Sequence, residues 1–134
     1  MSDGRLDMLR VAAGVLIEDE RVLIARRLLD RREGLKWEFP GGKLEPGETP
    51  EECLVRELAE ELGIEARVLG LLLTTVHTYV WGTIELLALR VERLAGEPAP
   101  RDHAELRWVA PAELARYDFT AADLAIVRAL EPRS

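Results

Sequence analysis

At 134 residues, with 48% apolar content and a net charge of −7, the chain has the size and apolar fraction of one compact domain with its own core. The acidic balance argues against a groove for a nucleic-acid polymer, which needs clustered Lys and Arg. A single cysteine, Cys53, excludes an internal disulfide and a cysteine-based zinc site.

Taken in chain order, residues 1–8 read as a flexible start to a single domain spanning 1–134, and Met1 to Arg5 lack a signal peptide's apolar stretch. The longest apolar run, around Val68 to Leu73, is too short to span a membrane. With one free cysteine besides, the chain reads as cytoplasmic. Residues 11–17 and 22–25 predict two strands joined by the polar turn at Glu18 to Arg21. Residues 26–36 predict a charged loop, residues 37–39 a short strand, and residues 43–45 another. Between them, Phe39-Pro40-Gly41-Gly42, with Pro46-Gly47 further on, supplies turn chemistry that lets a ligand approach the backbone.

A helix start follows at Thr49: Thr49 as N-cap, Pro50 in the first helical position, Glu52 completing a capping box. The helix is predicted to run to Leu62 and to end at a left-handed Gly63. Leu54, Val55, Leu58, Ala59 and Leu62 share one arc and predict its buried face, while Cys53 lies near the acidic arc, where it reads as a small packing residue in preference to a reactive thiol. Glu57, Glu60 and Glu61 share the opposite arc, where like charges repel by roughly 0.2–0.5 kcal/mol per pair unless a cation sits over them. An acidic helix face alone is usually a solvated face.

Beyond the helix, residues 66–79 and 83–93 predict long antiparallel strands with Trp81-Gly82 as their turn. Gly96 to Pro100 is a loop, residues 106–109 a last strand, residues 111–114 a helical turn, and residues 120–130 a final helix. Strands, helix, strands, helix give an α+β layered domain.

The pattern at the helix is denser than composition explains. Gly42, Glu48, Arg56, Glu57, Glu60, Glu61 and Gly63, each at a background of about 7%, coincide by chance on the order of once in 10⁸ registers. The segment resembles the Nudix box: Gly, five residues, Glu, seven residues, then Arg-Glu-apolar-x-Glu-Glu-x-Gly-apolar, with every specified position matched. Trp37 to Lys43 and Gly47 to Pro50 further resemble the MutT branch of nucleotide-pool sanitising pyrophosphohydrolases, and the likeness runs from about Leu9 to Leu130.

The resemblance implies an α/β/α sandwich around a mixed β-sheet, and a Mg²⁺ or Mn²⁺ cofactor on Glu57, Glu60 and Glu61 with the Gly41 carbonyl. Magnesium's preference for oxygen ligands agrees with that set. Arg56 would orient a glutamate, and Gly42 and Glu48 would shape the loop or a surrounding network. Arg27, Glu38, Phe39, Lys43 and Asp123 are implied as substrate contacts, Phe39, Tyr79 and Trp81 being the aromatic choices for stacking. Asp102, six residues before Trp108, falls where the MutT branch has a glutamate that serves as candidate base and metal ligand; Glu105 is the alternative. His77 reads as structural.

Asp123 stands where the MutT branch carries an asparagine that bonds 8-oxoguanine; a carboxylate suits an exocyclic amine such as cytosine N4. That departure, with Asp102-His103, resembles the cytidine triphosphate pyrophosphohydrolase branch. Thr120-Ala-Ala-Asp123 is equally a capping box for the last helix. The chain is therefore expected to hydrolyse a small-molecule nucleotide, 8-oxo-dGTP or CTP, dCTP and 5-methyl-dCTP, to the monophosphate and pyrophosphate, as a monomer or homodimer. The alternatives are another nucleoside diphosphate derivative, such as ADP-ribose or a dinucleoside polyphosphate, and a nucleotide sensor without catalysis.

Overall fold

The computed structural model describes residues 8–132. The expected flexible start lies outside the described residues except for Met8, which is already in a strand. That strand, β1 (Met8–Glu18), turns tightly through Asp19 and Glu20, both at positive φ (50° and 62°), into β2 (Arg21–Arg26). β1 also runs parallel to β6 (Gly82–Ala95), pairing Met8 with Thr83 and Leu16 with Val91. β5 (Glu65–Tyr79) pairs antiparallel with β6, so the sheet is mixed, as expected. β3 (Trp37–Glu38) and β7 (Glu105–Val109) both pair with β2. The strand order is β3-β2-β1-β6-β5, with β4 (Gly41–Lys43) on the middle of β1.

Side-chain alternation divides the core between the two faces of this sheet. Ala12, Leu16, Leu23 and Leu89 face α1 (Pro50–Leu62), which packs Cys53, Leu54, Leu58 and Leu62 against them. Ala13, Val15, Val22 and Ile24 face the other way, onto Trp37, Phe39, Phe119 and Leu114, with Ile126 and Val127 of α2 (Leu124–Leu130). The layering is the expected α/β/α sandwich.

The helix signals at α1 are realised in full. Thr49 caps Glu52, the Glu52 carboxylate accepts from the Thr49 amide, and Gly63 ends the helix at φ 73°. Its buried arc is rotated from the expected one: Val55 and Ala59 are exposed and Cys53 is fully buried. The reason is β4, which runs beside the start of α1; the Cys53 thiol donates to the Gly42 and Lys43 carbonyls at 3.4 Å.

Strand ends differ by one to three residues in several places, and four differences concern turns and short elements. The strand expected at 43–45 lies at Gly41–Lys43, because the glycines let β4 lie close against β1. The β5–β6 turn is Val80–Trp81, with Gly82 opening β6. The helical turn after β7 extends over Pro111–Arg116 in 3-10 form. The last helix is split: a 3-10 turn at Ala121–Asp123 precedes α2, and Thr120 makes no side-chain cap. The capping box expected there does not form, because the Asp123 carboxylate is bonded elsewhere.

Candidate active site

Gly41 and Gly42 on β4 bring the chain against both β1 and α1. A Cβ on Gly42 would stand 2.5 Å from the Glu57 carboxylate, so only glycine leaves room for it. Arg56 then ties loop to helix. Its Nε and Nη2 donate to the two oxygens of Glu48 at 2.7 and 2.8 Å, and its Nη1 donates to Glu57 at 2.6 Å. The guanidinium holds Glu48 down to about 2 from an ordinary 4.5, and the loop is closed by the Glu45 amide donating to Glu48. Burial, with Glu48 next to it, pushes the Cys53 thiol up to about 11, which leaves it a packing group.

The box glutamates are not equivalent. Glu60 extends to the surface, its side chain 63% exposed, 3.8 Å from Arg56. Glu57 and Glu61 line a cleft of about 880 Å³. Glu61 Oε1 is buried without a hydrogen-bond partner among the described residues. Burial, then the charges of Glu57, Glu38 and Asp102, push Glu61 up to about 9. No three His, Cys, Asp or Glu side chains among the described residues are already gathered around one point, since Arg56 holds Glu57 and Glu60 points outward. The donor set nevertheless fits a hard divalent cation: carboxylate oxygens, one of them orphaned, in an acidic pocket that a positive charge would relieve.

The same cleft carries the expected substrate residues. Arg27 donates to Glu38 at 2.8 Å and Lys43 reaches the rim exposed. Asp102 faces the cleft, bonded to Arg31 at 3.1 Å, whereas Glu105 lies on β7, paired with Arg107 and outside the cleft lining. Asp123, also in the cleft lining and only 6% exposed, accepts the Phe39 amide at 2.7 Å. Burial, then Glu38, pushes Asp123 up to about 8. Phe39 is stacked on Phe119 and only 3% exposed, so its ring belongs to the core and its backbone N–H is the group that organises the site.

Tyr79 and Trp81 stack on each other at 5.1 Å along the cleft wall, with the Arg32 guanidinium 4.2 Å from the Trp81 ring centre. His77 packs edge-on against Tyr79, as a structural residue would.

Two features escaped the sequence reading. Glu33 accepts from the Tyr79 hydroxyl at 2.8 Å and from the Ala121 amide at 3.1 Å, fastening the 27–36 loop over the turn that carries Asp123. His103, buried, bonds Glu38 through Nε2 at 2.9 Å. Nothing local signals either, since the partners lie 46 and 65 residues apart.

A family model described as NUDIX domain matches residues 8–130. The chain is 43% identical over 114 residues to a putative 8-oxo-dGTP diphosphatase 2 of Mycobacterium tuberculosis, covering 84% of this chain and 81% of that one. It is 37% identical over 125 residues to a CTP pyrophosphohydrolase of Escherichia coli, covering 92% of each. The solution structure of the E. coli ORF135 protein superposes with a TM-score of 0.84 at 34% identity, covering 96% of this chain and 92% of that one.

Proposed function

We infer that this chain, which belongs to the Nudix family, is a hydrolase that cleaves nucleoside triphosphates to the monophosphate and pyrophosphate, taking 8-oxo-dGTP or cytidine-type nucleotides. The observation that carries the reading is that one cleft is lined both by the acidic face of α1 and by Asp123, fixed by the Phe39 amide. A polyphosphate and a nucleobase require those two chemistries. Relatives named for each nucleotide class support the pair of substrates.

Nudix hydrolases generally need a divalent metal. Here Glu57, Glu60 and Glu61, with the Gly41 carbonyl, would hold Mg²⁺ or Mn²⁺. Such an ion supplies charge neutralisation on the phosphate oxygens and acidifies bound water. The chain's own residues do the rest. Arg56 orients Glu57 while its second edge locks the Glu48 loop. Lys43 and Arg27 stand on the cleft wall as cations for the phosphates. Asp102 takes the proton of the attacking water, its carboxylate positioned by Arg31.

The proton-acceptor role has a direct comparison. Asp102→Asn is expected to lower kcat by about 10²-fold or more, and Glu105→Gln by less than about threefold; equal, small effects in steady-state kinetics would discard Asp102 as the base.

Base choice falls to Asp123. With Oδ2 taken by the Phe39 amide, a base contact falls to the other oxygen. Asp123→Asn exchanges a carboxyl for an amide and is expected to shift relative kcat/KM from cytidine toward 8-oxoguanine nucleotides by about tenfold. Unchanged ratios would remove Asp123 from base selection.

The function itself is tested with Mg²⁺ and a panel of 8-oxo-dGTP, CTP, dCTP, 5-methyl-dCTP and ADP-ribose, measuring pyrophosphate against orthophosphate. Pyrophosphate from the triphosphates is the expected result; binding without release from any nucleotide would refute catalysis.

A further inference from the structure

His103 lines the cleft, beside Asp102 in the chain and against Glu38 in space. Its side chain is 3% exposed. One ring nitrogen, Nε2, is 2.9 Å from Glu38 Oε2, while the other oxygen of that carboxylate accepts from Arg27 at 2.8 Å. Arg27 is itself held, its Nε donating to the Arg32 carbonyl at 2.6 Å. An ionised carboxylate only accepts, so Glu38 assigns the proton of a neutral His103 ring to Nε2. That leaves Nδ1 as a lone-pair acceptor, and Nδ1 is buried without a hydrogen-bond partner among the described residues.

An orphaned acceptor inside a cleft is costly unless something that enters the cleft satisfies it. The surrounding groups narrow the choice. Glu38 is an acceptor, Glu61 and Asp123 of the same cleft are costly to ionise, and Arg27 has its Nη1 on Glu38 and its Nε on the Arg32 carbonyl. The missing group is therefore an N–H or O–H donor. His103 follows Asp102 in the segment before β7, and Glu38 precedes Phe39, whose amide fixes Asp123. Glu38, which the ring bonds, is near enough to both Glu61 and Asp123 for its charge to raise each, so His103 stands by the carboxylate that links the two, where the nucleoside part of a nucleotide would lie.

We propose that His103 Nδ1 accepts a hydrogen bond from a donor on the nucleoside, a sugar hydroxyl or an exocyclic base amine, so that His103 is a specificity-determining residue. This rests on the nucleotide-hydrolase reading above. Glu38 and Arg27 act through it as positioning residues: they fix the tautomer and the ring plane.

The test compares kcat/KM for matched nucleotides in the wild type, His103→Phe and His103→Asn. One arm sets CTP against dCTP and 2′,3′-dideoxy-CTP, which removes the sugar donors in turn. The other sets CTP against UTP, which removes the amine donor. The wild type is expected to favour the donor-bearing member of one arm by about tenfold, the size expected when a buried polar group is left unpaired. His103→Phe, which keeps a ring but no acceptor, should bring that ratio near one. His103→Asn, with an N–H for Glu38 and a carbonyl oxygen to accept, should retain part of it, which separates the contact from lost packing.

A ratio unchanged in His103→Phe, or an equal loss for every nucleotide in a variant that melts like the wild type, would overturn the proposal while leaving the hydrolase reading intact. Absence of hydrolysis by the wild type would overturn both.

Discussion

Glu61→Gln is expected to lower turnover by about 10²-fold or more and, without divalent cations at about pH 8, to raise the melting temperature. Both effects come from one carboxylate. Burial and the charges of Glu57, Glu38 and Asp102 raise Glu61 from 4.5 to about 9, so the folded state retains a proton that the unfolded chain releases. Its contribution is therefore unpenalised below about pH 4.5 and is lost progressively as pH rises toward 9. Glutamine is neutral throughout and removes that slope. Asp123, raised to about 8, leaves a similar slope in the variant, so the expected change is a shallower dependence rather than none.

A bound divalent cation should reverse the sign for the wild type. It favours ionised Glu61 and stabilises the fold by mass action, so the wild-type melting temperature should climb with Mg²⁺. In Glu61→Gln that climb should be small. Thermal melts across about pH 5 to 9, with and without Mg²⁺, read both quantities independently of turnover. An unchanged pH slope, or a full Mg²⁺ shift in the variant, would show that Glu61 is neither the strained acid nor a cation ligand.

Gly42→Ala is expected to leave a folded protein with turnover reduced by about 10²-fold. The new methyl would stand 2.5 Å from the Glu57 carboxylate, which must move. The group displaced is the end of a side chain, so the backbone can stay, and the melting temperature should change little. Glu57 cannot move freely, however, because Arg56 holds it at 2.6 Å while gripping Glu48 on its other edge. A misplacement of about 1 Å in a reacting constellation is enough for a loss of that order. Circular dichroism and melting curves alongside kinetics separate the outcomes; wild-type turnover would mean that the Glu57 position is not critical.

Legibility followed the range of the interactions. The capping box at Thr49 and the left-handed Gly63 are short-range, and each is found where the sequence placed it. The burial of Val55 and Ala59 was misjudged because helical periodicity states that a face is buried, while β4 decides which residues end up beneath it. At Thr120 the local signal was a real competitor that lost: the Asp123 carboxylate bonds the Phe39 amide, 84 residues away, instead of capping its own helix. A buried main-chain N–H needs a partner, and the tertiary fold presents this one.

By itself the sequence determined the box helix, the acidic character of one of its faces and the layered fold, and it nominated candidates for metal and phosphate, because these depend on identities at fixed short spacing. Only the tertiary structure decided how those residues divide the work. It sends Glu60 outward and Glu61 inward, commits Asp123 to the Phe39 amide, sets Asp102 rather than Glu105 on the cleft, and lays His103 against Glu38. Each of those outcomes depends on burial or on a partner distant in the chain, and pattern alone carries neither.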